Sequence, residues 1–98
     1  MALRAMYPVH STKTASRIYD GEAVVVQPLE NSIAFLSPVA SRIWELADGS
    51  RSVGDIVDAL CTEYEVERAT AEADVAEFLA ELGKKDIIIL LEAPRDGG

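Results

Sequence analysis

Hydrophobic and polar positions change rhythm once along this chain. Between residues 17 and 36 apolar residues come in short runs broken by turn-forming pairs, and from residue 37 onward they recur at three- and four-residue spacing. "RIY" at 17–19 is followed by Asp20-Gly21 and then by "AVVVQP", which predicts strand, tight turn, strand. Pro28 closes the second strand because it has no N–H for a ladder, "PLEN" reads as the next turn, and "SIAFL" at 32–36 is a third strand. Three short strands joined by short turns predict an antiparallel meander.

The longer period begins at Ser37, which is placed to cap a helix whose first residue is Pro38. Val39, Ile43 and Leu46 form one stripe, widened by Ala40, Trp44 and Ala47, and Asp48-Gly49 stops the helix. Ser52 with Asp55 three residues on marks a second helix, with an apolar face of Val53, Ile56, Val57, Leu60, Cys61 and Tyr64. A third is expected to begin close to Arg68 and to carry Ala71, Val75, Phe78, Leu79 and Leu82 on one side. Lys84 and Lys85 suit its last turn, and Asp86 stands where glycine is commoner. "IIILL" at 87–91 is a final extended segment with the length of a strand.

The fold class expected is α+β: a three-stranded antiparallel sheet followed by a three-helix bundle, in an order like that of a winged helix-turn-helix. Residues 1–15 show no periodicity and are expected to be an arm, ordered only if something holds it. Residues 16–91 form the domain and 92–98 a tail. There is no internal repeat.

Ninety-eight residues suffice for one domain with one core. The net charge of −8 is concentrated on the helical half, where residues 38–86 carry twelve acids against Arg42, Arg51, Arg68, Lys84 and Lys85. Most of these acids alternate with the apolar stripes and read as solvated helix faces. Such a surface repels nucleic acid and anionic membranes, since phosphate binding needs clustered cations. A single cysteine forms no internal disulfide, the N-terminal stretch lacks the apolar run of a signal peptide, and "IIILL" is far short of a membrane span. A cytoplasmic location is expected.

Site chemistry is sparse. With only His10 and Cys61 there is neither a zinc ligand set nor a Cys-His pair, and Cys61 falls on an apolar helix face, where it reads as core. Ser37, Ser50 and Ser52 lie at helix starts or in a turn, where capping explains them. Asp74 with Glu77 or Glu81 could pair as catalytic carboxylates, but nothing in the pattern buries them. No glycine-rich phosphate loop is present, and "DGSRSV" lacks the Asp-Ser-Leu pattern of a carrier-protein prosthetic-group site. No catalytic residue, metal or cofactor is expected.

A three-stranded sheet has two edges whose unpaired N–H and C=O groups can accept a further strand. With the third helix beside an edge, the gap becomes a groove for an extended peptide, which needs no catalytic group. One alternative is a winged-helix DNA-binding regulator, in which the third helix would enter the major groove. Its exposed Glu72, Asp74, Glu77 and Glu81 oppose that. Another is a dimeric structural module formed by edge-to-edge strand pairing.

The run "FLSPVASRIWELADGSRSVGDIVDAL", then "EYEV", then "TAEADVAEFLAELGKKDIII", resembles the PqqD-like family, the RiPP recognition elements, over about residues 17–91. The likeness rests on the order and spacing of an aromatic-Leu strand end, an Ile-Trp-x-Leu helix closing on Asp-Gly, a Ser-Val-x-x-Ile second helix and an Asp-Val-x-x-Phe-Leu third helix. It implies a module without catalysis that binds the leader of a ribosomally made precursor peptide as an added strand. Such modules present the leader to a modifying enzyme, often a radical SAM protein of pyrroloquinoline quinone (PQQ) or related pathways, or a leader peptidase in lasso-peptide pathways. Carried over by position, the peptide site comprises strand residues Ser32, Ile33, Ala34, Phe35 and Leu36 and helix residues Ala71, Asp74, Val75, Phe78 and Leu82. Ser37 in place of Asn, Glu67-Arg68 in place of a better cap and proline, and Asp86 in place of Gly depart from the family pattern.

Overall fold

Asp20 and Gly21 both take positive φ, 51° and 81°, as a two-residue hairpin loop requires. They join β2 (Ala15–Tyr19) to β3 (Glu22–Gln27), with Tyr19 opposite Glu22. The chain then makes a 3-10 turn at Pro28–Glu30, reverses through Asn31 at φ 51°, and returns as β4 (Ser32–Phe35) with Ser32 opposite Gln27. The sheet order is β2-β3-β4, the meander expected. These elements come from a computed structural model, which describes residues 2–95.

Alternation along β3 separates the sheet's two faces. Ala23, Val25 and Gln27 are buried toward the helices, and Val24 and Val26 face the other way and are half-exposed. Against the inner face packs α1 (Pro38–Leu46), and α2 (Val53–Tyr64) and α3 (Arg68–Lys84) pack on α1 and on each other. Ile43, Trp44, Ile56, Leu60 and Val75 are each 2% exposed or less and form the centre of one core. Trp44 is thus a core residue. Cys61 is only half-buried at its margin, and Tyr64, expected on the apolar face of α2, is 40% exposed.

The helix starts follow local chemistry. Ser37 Oγ accepts from the Ala40 N–H at 3.2 Å, with Pro38 in the first turn. Ser52 and Asp55 form a reciprocal capping box, with both bonds at 3.1 Å. Glu67 precedes α3 without a side-chain cap, and Asp86 leaves it at φ 58°.

The N-terminal segment differs from the loose arm expected. Tyr7–His10 form β1, paired antiparallel with β5 (Ile88–Leu91) in a separate two-stranded sheet. Pro8 and Val9 are buried, and the Pro8 carbonyl accepts from the Gly49 N–H at 2.9 Å. Burial of these two side chains, with β5 as a ladder partner, is what holds the segment. The expected last strand exists, but it pairs with the N-terminus and not with the meander. Residues 96–98 of the expected tail lie outside the described residues. Among the described residues, no helix is long and apolar enough to cross a membrane.

Candidate functional site

Among the described residues β4 pairs only with β3, so its other edge is open. The Leu36 N–H donates to the Ala23 carbonyl at 2.9 Å, which fixes the alternation of the ladder. In an antiparallel pair, residues that bond the neighbour alternate with residues whose groups point away. Ser32, Ala34 and Leu36 therefore direct their amides at β3, and Ile33 and Phe35 present N–H and C=O to the open edge. The Ile33 and Phe35 side chains are 59% and 79% exposed on the outer face of the sheet.

A buried serine reinforces the end of this strand. Ser41, fully buried on α1, accepts from the Ala23 N–H at 2.6 Å, and its hydroxyl donates to the Leu36 carbonyl at 3.3 Å. The hydroxyl bridges a donor of β3 and the carbonyl that follows β4, and so ties β3, β4 and α1 together. At the opposite end the Gln27 side-chain amide donates to the Lys85 carbonyl at 2.8 Å, joining β3 to the C-terminus of α3. The sheet is thus fixed to α1 at the Leu36 end and to the C-terminus of α3 at the other.

Between β4 and α3 lies a groove of about 360 Å³ lined by Ile33, Ala34, Phe35, Leu36, Ser37 and Ala40 on one side and Phe78, Glu81, Leu82 and Lys85 on the other. It continues past Ser37 into a concavity bordered by Asp74 and Glu77, and past Ser32 into one bordered by Lys84 and Lys85. Of the residues expected to form the site, Ile33 to Leu36, Phe78 and Leu82 meet in the groove, Asp74 borders one extension and Ser32 the other. Ala71 and Val75, at 1% and 0% exposure, belong to the core behind the wall and line none of the three. Ala71, Val75, Phe78 and Leu82 all lie on one buried face of α3, at i, i+4, i+7 and i+11, and what separates them is their place along the helix: Phe78 and Leu82 come in the half that runs beside β4, and Ala71 and Val75 lie nearer the helix start. Glu77 and Glu81 were missed as groove residues because on sequence they read as solvated face, Lys85 because it read as a last-turn cation, and Ser41 because a serine inside a helix stripe carries no signal of its role.

Ion pairs sit elsewhere on the helices. Arg42 makes paired contacts with Glu63 at 2.8 and 2.9 Å, holding its carboxyl below the usual range, and Arg68 reaches Asp58 at 2.6 Å. Burial raises the Asp48 carboxyl, but hydrogen bonds from Ser50 and the charge of Arg51 outweigh this and leave it low. These groups staple helix surfaces and take no part in the groove.

A sequence model of the family described as "Coenzyme PQQ synthesis protein D (PqqD)" matches residues 22–88. The chain is similar to the "PqqA binding protein" of Rhodopseudomonas palustris (strain BisB5), 40% identical over 50 residues, or 51% of this chain and 49% of that protein. Its similarity to the "PqqA binding protein" of Gluconobacter oxydans (strain 621H) is 34% over 64 residues, 65% and 66% of the two chains. The chain spans about half the length of the Rhodopseudomonas relative and two thirds of the Gluconobacter one. Among solved structures, "TbiB1 in Complex with the TbiA(beta) Leader Peptide" matches with a TM-score of 0.76 at 35% identity, over 82% of this chain and 93% of that one. "Lasso peptide synthetase B1 complexed with the leader peptide" has the same fold, with a TM-score of 0.76 at 23% identity, over 85% and 98% of the two chains. The family match runs from the first residue of β3 to the first of β5 and so takes in both walls of the groove: the chain belongs to the PqqD family.

Proposed function

We propose that this chain is a non-catalytic adaptor. It binds the leader of a ribosomally made precursor peptide as an added strand on β4 and presents it to a modifying enzyme of the radical SAM or leader-peptidase type. The observation that carries this reading is the open edge of β4, with the outward N–H and C=O groups of Ile33 and Phe35 set beside the apolar patch of Phe78 and Leu82. Main-chain hydrogen bonds to such an edge supply affinity for any extended segment, and the side-chain wall supplies selection. Leader complexes of the same fold and relatives named for binding PqqA support the assignment. In this reading Ser32–Leu36 form the ladder, Asp74, Phe78 and Leu82 form the wall, and Ala71 and Val75 back it from the core.

The test is titration of isotope-labelled protein with precursor peptides encoded next to its gene. Amide shifts confined to residues 32–36 and α3 are expected. Unchanged spectra with every neighbouring precursor would remove the reading.

A further inference from the structure

The groove beside β4 carries different charge at its two ends. Its extensions show that α3 runs antiparallel to β4: the Ser37 end faces Asp74, Glu77 and Glu81, and the Ser32 end faces Lys84 and Lys85, with Lys13 also lining it. No base lines the first end. Glu30 and Asp86 share the second and leave it weakly positive. Between the ends, Phe78 and Leu82 make an apolar stretch. Ion pairing does not cancel the acidic end. Arg42, Arg51 and Arg68 engage other carboxylates, and no ion pair among the described residues involves Asp74, Glu77 or Glu81.

Resting on the reading of this groove as the peptide site, we propose that the gradient sets the register and the charge pattern of the bound strand, whose direction the ladder fixes. The peptide it fits carries Lys or Arg at the Ser37 end, an apolar residue two positions on, and Asp or Glu two positions after that. Glu77 and Lys85 are separated along α3 by about 12 Å at a rise of ~1.5 Å per residue. Four residues of an antiparallel strand cover about 14 Å at ~3.4 Å each, within the reach of long charged side chains. Even spacing puts all three side chains on one face of the added strand, the face turned to α3. The added strand runs antiparallel to β4, as every pairing in this sheet does, because antiparallel ladders are the more stable per residue. The cationic residue therefore precedes the acidic one in the peptide. Charge complementarity of this kind selects the partner and its register more than it adds affinity.

The experiment is selection of a displayed random twelve-residue peptide library on the intact protein. Resynthesised binders are then checked for amide shifts in β4. The expected result is enrichment of Lys or Arg followed four residues later by Asp or Glu, and at least tenfold weaker binding when those two residues are exchanged in an otherwise unchanged peptide. The Glu77→Lys/Glu81→Lys variant, altered only at exposed positions, should reverse the preference at the first position. Binders that shift β4 amides and bind equally well after the exchange overturn this inference and leave strand addition standing. A selection that yields no peptide acting on β4 overturns both.

Discussion

The imidazole of His10 lies flat on the indole of Trp44, with ring centroids 3.5 Å apart and planes inclined by 6°. The His10 Nε2–H donates to the Trp44 carbonyl at 2.6 Å, and the indole N–H donates to Ser16 Oγ at 3.0 Å. A residue of β1 thus covers the one tryptophan, whose own polar atom is tied to β2. The N-terminal segment is part of the fold's closure.

Replacing His10 by Ala removes both the stack and the hydrogen bond. Aromatic pairing contributes about 0.5–1.5 kcal/mol beyond burial, and a hydrogen bond about 1 kcal/mol. We expect His10→Ala to lower stability by about 1.5–2.5 kcal/mol in urea unfolding followed by Trp44 emission, with greater access of acrylamide to the indole in the folded state. An unchanged midpoint would mean that β1 is held without this contact.

The same contact gives stability a dependence on pH. Burial pushes the His10 pKa below its ordinary 6.5, and the Trp44 carbonyl and the charge of Asp48 recover only part of the loss. The unfolded chain therefore binds more protons between the two values, so stability is complete above about pH 6.5 and declines as pH falls through the folded value. His10 is the only histidine. The urea midpoint should fall as pH is lowered from about 6.5, and His10→Phe, which stacks without titrating, should flatten that decline.

Ser41→Ala leaves the Ala23 N–H without its partner in a fully buried position. An unsatisfied buried donor costs about 1–3 kcal/mol. Calorimetry should show this loss, and hydrogen exchange should show faster opening at Ala23 and Leu36 than in the helices. Uniform acceleration across the chain would assign Ser41 a general packing role only.

Proline placement separates the two sides of β4. Ala34→Pro removes an amide that points at β3 and should destabilise the sheet, whereas Ile33→Pro removes one that points outward and should leave the fold intact. Peptide affinity of Ile33→Pro should drop more than tenfold, because a hydrogen bond is lost and the ring obstructs the incoming backbone. Ile33→Ala serves as the control for side-chain loss. Equal affinity of Ile33→Pro and Ile33→Ala would place the peptide away from this edge.

What could be read from sequence was what is local. The Asp20-Gly21 turn, the Ser37 cap and the Ser52–Asp55 box depend on residues within a few positions of one another, and each lies where its pattern predicts. β1 was not legible, because "YPVH" is a strand only by virtue of "IILL" at the far end of the chain and of a proline whose missing N–H costs nothing there. Family resemblance pointed to β4 and α3, and a groove lies between them. It could not sort α3, where four residues of one buried face differ only in their place along the helix: Phe78 and Leu82 lie where the groove opens, and Ala71 and Val75 nearer the helix start. Ser41 shows the limit most clearly: its hydroxyl acts between two strands that a linear pattern does not bring together.

The pairing of residues 7–10 with 88–91 also has a kinetic meaning. Closing so long a loop is entropically expensive, and the cost is recovered only once the intervening helices have collapsed. The β2-β3 hairpin, by contrast, closes over two residues and can form within microseconds. Folding should accordingly start at Asp20-Gly21 and finish with His10 settling onto Trp44, so that quenching of the indole is the last event a stopped-flow trace records.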